Sequence, residues 1–163
     1  MMFEKKLVML VCILSIAMLL TACSEKKGTS SSKNDEVSEV EERTEVSLQM
    51  KIEDESVQVD WEDNESVETL KGLCKDEPLV IQMSMYGGYE QVGNIGTSIP
   101  ENDVEITAKA GDIVLYSGNS LVVFYGSNSW AYTRLGRITN LTDAELTQLL
   151  SNGDVTITIS MEE

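Results

Sequence analysis

Histidine is absent from all 163 residues. That removes the imidazole base of a Ser-His-Asp or Cys-His site, the usual zinc ligand, and the commonest ionisable switch near neutral pH. Cationic side chains are also scarce: 12 Lys and Arg face 28 Asp and Glu, a formal net charge of −16. Affinity for nucleic acid comes largely from cations that displace condensed counterions, so a chain this acidic repels phosphate backbones. No nucleic-acid partner is expected. Three cysteines leave little scope for disulfides, and their placement reduces it further.

Apolar sequence is concentrated first at the N-terminus. Lys5 and Lys6 precede Leu7 to Leu20, a mostly apolar stretch that fits the core of a secretory signal peptide and is too short for a typical membrane span. It runs into Leu20-Thr21-Ala22-Cys23, which resembles the lipobox of bacterial lipoproteins. The resemblance implies a signal peptide over residues 1–22, acylation of Cys23 by chains such as palmitate, and a lipid anchor on the extracytoplasmic face of the cell membrane. Several acyl chains hold stably where a single chain holds marginally. An uncleaved signal anchor is the alternative. With Cys12 removed and Cys23 acylated, only Cys74 remains and no intramolecular disulfide can form.

Residues 24–45 hold two large aliphatic side chains, Val37 and Val40, among Ser, Lys, Glu and Asp. Such a segment buries too little to offset its ordering entropy, so residues 23–45 are expected to be an acidic, disordered tether. A short charged helix over Glu36 to Glu45 is the alternative.

From Val46 the pattern becomes that of one folded domain, 46–163. Val46, Leu48, Met50 and Ile52 alternate with polar residues, as in a half-buried strand, and a second alternating run, Ser56 to Trp61, completes a hairpin. Asn64 is placed to cap a helix from Glu65 to about Lys75, with Val67, Leu70, Leu73 and Cys74 on one face. Cys74 therefore reads as a buried small hydrophobe. Strands are expected over Leu79 to Tyr86, Val104 to Ile106, Asp112 to Ser117, Leu121 to Gly126 and Tyr132 to Ile138, with Gly118-Asn119 as a hairpin turn. Tyr89 to Pro100 reads as a long loop. Thr142 and Glu145 form a capping box for a helix over Asp143 to Leu150, and Val155 to Met161 closes the chain as a strand. Many short strands with two helices point to a mainly β barrel or sandwich covered by helices.

The runs Tyr86 to Gly93, Ala110 to Tyr116 and Phe124 to Gly136 together resemble a bacterial family of cyclophilin-like fold proteins, in order and spacing across residues 46–163. The resemblance implies a closed cyclophilin-like β-barrel of about eight strands with two helices covering its ends. It does not by itself imply prolyl isomerisation, because fold and function are separable. True cyclophilins carry an Arg after a Phe-His pair beside a hydrophobic proline pocket, and no Phe-His-Arg occurs here.

Two stretches depart from ordinary strand chemistry. Gly126-Ser127-Asn128-Ser129-Trp130 puts small polar groups and an amphipathic ring after an apolar strand, as the rim of a ligand site would, or as a structural turn would. Arg134, with Arg137 one of two arginines in the domain, is either an anchor for a carboxylate or phosphate or an internal ion-pair partner. The expected ligand-binding residues are Tyr86, Ser127, Asn128, Trp130 and Arg134, taking a small molecule or peptide at one end of the barrel. In an isomerase Arg134 would be the catalytic group, hydrogen-bonding the prolyl nitrogen. A pure interaction module is the third reading. Gly87-Gly88 suits a tight turn. Gly93-Asn94-Ile95-Gly96 lacks the features of a phosphate loop or dinucleotide site, so no cofactor is expected. Asp60, Glu62, Asp63 and Glu65 lack a calcium-loop pattern and read as a solvated turn, so no metal is expected either.

Overall fold

A computed structural model of the protein describes residues 47–162. The expected signal peptide, acylated Cys23 and tether lie outside the described residues.

The N-terminal alternation forms β1 (Ser47–Ile52), which pairs antiparallel with β2 (Glu55–Val57). The expected second strand is broken at Gln58, and its remainder is β3 (Val59–Trp61). The break has a local cause: the Gln58 N–H donates to Asn140 Oδ1 at 2.8 Å and its carbonyl accepts from the Thr139 N–H at 2.9 Å, so a distant loop takes its backbone bonds. Helix α1 (Glu65–Leu73) starts where Asn64 accepts from the Val67 N–H. Cys74 caps its end, buried, and desolvation pushes its thiol pKa up.

The expected Leu79 to Tyr86 strand is likewise divided, into β4 (Leu79–Gln82) and β5 (Ser84–Tyr86) on either side of the buried Met83. A tight turn through Gly87 and Gly88, both at positive φ, leads into β6 (Glu90–Asn94). This strand corrects the expectation of a long loop there. After it come β7 (Val104–Ala108), β8 (Asp112–Tyr116) and β9 (Ser120–Phe124). Between the last two, Ser117 and Gly118 take the positive φ, one residue earlier than expected. Strand β10 (Asn128–Ile138) begins four residues before its expected start, because β7 pairs with Asn128 to Tyr132. Helix α2 (Asp143–Leu150) carries the Thr142/Glu145 capping box, and β11 (Thr156–Glu162) ends the described chain.

These strands make two sheets. The smaller has the order β2-β1-β11-β4; the larger runs β3-β10-β8-β9-β6-β5, with β7 on β10. Strand β2 passes through Gln58 into β3, and β4 passes through Met83 into β5, so chain segments that change sheet make two corners. The ladders stop at these corners and neither sheet closes, so the closed barrel implied by the resemblance is not seen as a continuous ladder.

The main core gathers Met50 and Ile52 of β1, Ile157 and Ile159 of β11, Ile113 and Leu115 of β8, and the apolar faces of both helices through Val67, Leu70, Leu146 and Leu150. A second cluster on the opposite face of the larger sheet contains Val114, Val122, Phe124 and Tyr132. Strands β8 and β9 are covered on both faces, which is why they read as continuous apolar runs rather than alternating ones.

Candidate functional site

The second cluster forms the floor of an open cavity of about 490 Å³ on the outer face of the larger sheet. Tyr86 from β5, Tyr89 from the turn and Glu90 and Val92 from β6 line one side. Tyr116, Ser120 and Val122 of the β8–β9 hairpin line the middle, and Asn128, Trp130 and Tyr132 of β10 the other side. The rings are held by each other. Phe124 lies 5.7 Å from Tyr132 in edge contact and 6.5 Å from Tyr89 in parallel, and Tyr116 meets Tyr132 at 6.1 Å. Tyr89 is seated by Gly126, where a Cβ would fall 2.6 Å from the Tyr89 Cβ, while the Tyr89 carbonyl accepts from both Tyr125 and Gly126 at 2.9 Å. Only a residue without a side chain allows that approach.

Glu90 is the one charged group in the lining. The residue is 5% exposed, and its Oε2 has no hydrogen-bond partner among the described residues. Burial without a compensating donor pushes its pKa up to about 7. Tyr132 is shifted the same way, chiefly by burial and partly by the Glu90 charge, against the opposing hydrogen bond from Asn128 Nδ2 at 2.9 Å. The cavity thus holds a carboxyl that titrates near neutral pH, a role the missing histidines left open.

A family model described as the cyclophilin-like family matches residues 50–160. The chain belongs to that family. No curated protein and no solved structure matches it. In this cyclophilin-like domain, three of the expected site residues, Tyr86, Asn128 and Trp130, meet in the aromatic cavity. Ser127 does not; its hydroxyl donates to the Ala108 carbonyl at 2.9 Å.

Arg134 lines a separate cavity of about 510 Å³ with Asn64, Glu65, Glu101 and Thr133. Its guanidinium lies 3.5 Å from Asp112 Oδ1, which also receives Arg137 at 2.5 Å. Asp112 is buried and also accepts a hydrogen bond from the Lys109 N–H, so it is a structural anion that pairs with both arginines. The shared hollow of Trp130 and Arg134 expected from the sequence is therefore two hollows. The first lies on a sheet face rather than at a barrel end.

Glu90 and the tyrosines 89, 116 and 132 are not grouped as a site by the sequence pattern. A signal existed, in that Glu90 and Val92 share one face of a strand beside Tyr89. That signal depends on Glu90 to Asn94 being a strand. Among the described residues no cluster of three or more metal-ligating side chains occurs, and no helix is long and apolar enough to cross a membrane.

Proposed function

We propose that this chain is a lipid-anchored, extracytoplasmic binding protein whose cyclophilin-like domain takes a small molecule or a peptide group into the aromatic cavity. The observation that carries the reading is the cavity itself: about 490 Å³, walled by four tyrosines and a tryptophan around a buried, unpartnered Glu90. That volume is typical of a small-ligand site, and a few polar groups in an apolar wall are what give such a site its orientation. Trp130 is 57% exposed at the rim, so it supports little of the core and is free to close on a ligand. The two sheets, joined at their corners, act as the barrel-like scaffold that holds the rings in place.

The anchor rests on the sequence through Cys23. Cys23→Ser is expected to abolish palmitate labelling and to release the chain from the membrane fraction; a chain still labelled or still sedimenting would end that part of the reading. For the cavity, the full chain purified in detergent is examined by native mass spectrometry for a co-purifying ligand. Trp130→Ala should lower retention at least tenfold, about 1.4 kcal/mol, with the melting temperature unchanged. Retention unaffected by Trp130→Ala would move the site elsewhere. An isomerase working through Arg134 would reveal itself as proline-peptide turnover lost in Arg134→Ala, and that result would replace the binding reading.

A further inference from the structure

The aromatic cavity contains an acid and no base. Of its lining residues only Glu90 carries charge, no Lys or Arg joins it, and no salt bridge reaches Glu90 among the described residues. Glu90 sits on β6 with Phe124 of β9 on one side and Tyr86 of β5 on the other, and its Oε2 is sealed from solvent with no donor in reach. Nothing in the fold explains the group. An ionised carboxylate buried without a partner is strongly unfavourable, and a ligand that brings donors and positive charge removes that penalty. The walls favour the same ligand, because the faces of Tyr and Trp rings are electron-rich and attract cations. An anionic ligand would meet only Glu90 and find no counter-charge.

We propose that the cavity receives an organic ammonium group, which donates its N–H bonds to the Glu90 carboxylate while its carbon body packs against Trp130 and the tyrosines. This rests on the binding reading above and names its ligand class. A free amine and a lysine side chain of a peptide share the chemistry. Binding requires ionised Glu90, so affinity rises with pH through about 7. The other titratable groups that face Glu90 are Tyr86 on β5, Tyr89 in the turn, Tyr116 on β8 and Tyr132 on β10; β9 supplies none. Glu90 is the one carboxyl among them, so it sets the dependence between pH 5 and 8.

The test is a tryptophan-fluorescence titration of the full chain in detergent with 2-phenylethylammonium, its neutral counterpart 2-phenylethanol, and Nα-acetyl-lysine amide. At pH 8 one of the two ammonium probes is expected to bind at least tenfold more tightly than the alcohol. That advantage should shrink at least tenfold at pH 5.5 and disappear in Glu90→Gln. Preference for blocked lysine would assign the site to peptides, and preference for the aryl amine to free small molecules. An alcohol that binds as well as both ammonium probes, at both pH values, overturns the ammonium inference while the binding cavity stands. Binding by no probe overturns both. Should Glu90→Gln not fold, the pH comparison on the unaltered chain decides alone.

Discussion

In the folded chain Glu90 keeps its proton up to about pH 7, whereas the same carboxyl in the unfolded chain releases it near 4.5. Between those values the native state holds more protons than the unfolded one, so stability is greatest below the lower value and declines as pH rises through the upper one. The full difference corresponds to roughly 3 kcal/mol. Glu90→Gln keeps the shape and removes the charge. Thermal denaturation at intervals from pH 4.5 to 8 should therefore show the melting temperature of the unaltered chain falling relative to that of Glu90→Gln. Parallel curves would mean that Glu90 is solvated. Glu145 has the opposite direction: the Thr142 backbone and hydroxyl donors lower its pKa, but it is fully exposed and its effect is screened.

At the scale of elements, what could be read from the sequence was whatever depends on near neighbours. Both helices begin at their expected caps, because Asn64, Thr142 and Glu145 satisfy backbone groups three residues away or fewer. The two caps should differ in worth. Thr142→Ala removes a local bond and is expected to cost about 1 kcal/mol. Asn64→Ala also strips the Arg134 carbonyl of the Asn64 Nδ2 donor at 2.8 Å, uncoupling α1 from β10, and should cost about 2 kcal/mol in urea denaturation. Equal losses would show that the link to β10 contributes nothing. Strand β6 was illegible for the complementary reason. Gln91 is buried, yet its side chain is polar, because its Nε2 donates to the carbonyls of Leu150, the last residue of α2, and of Gly153 just after it, at 2.6 and 2.7 Å. A residue that answers to a partner some sixty positions away breaks the apolar alternation by which strands are recognised. The extra length of β10 depends in the same way on β7.

At the scale of the whole molecule the same division holds for the site. The aromatic residues and their order were visible, and so was the family. Which rings share a hollow was not, because that depends on which face of the larger sheet each strand presents. Arg134 lies only four residues from Trp130 on β10, yet its guanidinium pairs with the buried Asp112 and lines a separate cavity. The two sheets themselves are held to one arrangement by close passage near a corner. Gly93 of β6 crosses β4 so tightly that a Cβ there would lie 2.6 Å from Ile81 Cγ2 and 2.7 Å from the Gln82 carbonyl oxygen. The carbonyl belongs to the backbone of β4 and cannot rotate away, so the strain of an added methyl must be met by moving one sheet against the other. Gly93→Ala is accordingly expected to lose about 3 kcal/mol, at the upper end for an overpacked core, even though alanine adds apolar surface and is otherwise a mild change. Because β6 also carries Glu90 on its opposite face, the displaced strand should shift the pH dependence of Glu90 as well. Chemical denaturation together with a carboxyl titration by NMR on the same variant tests both. A Gly93→Ala chain as stable as the original, with Glu90 still titrating near pH 7, would mean that the sheets slide freely over one another and that the cavity does not depend on their packing.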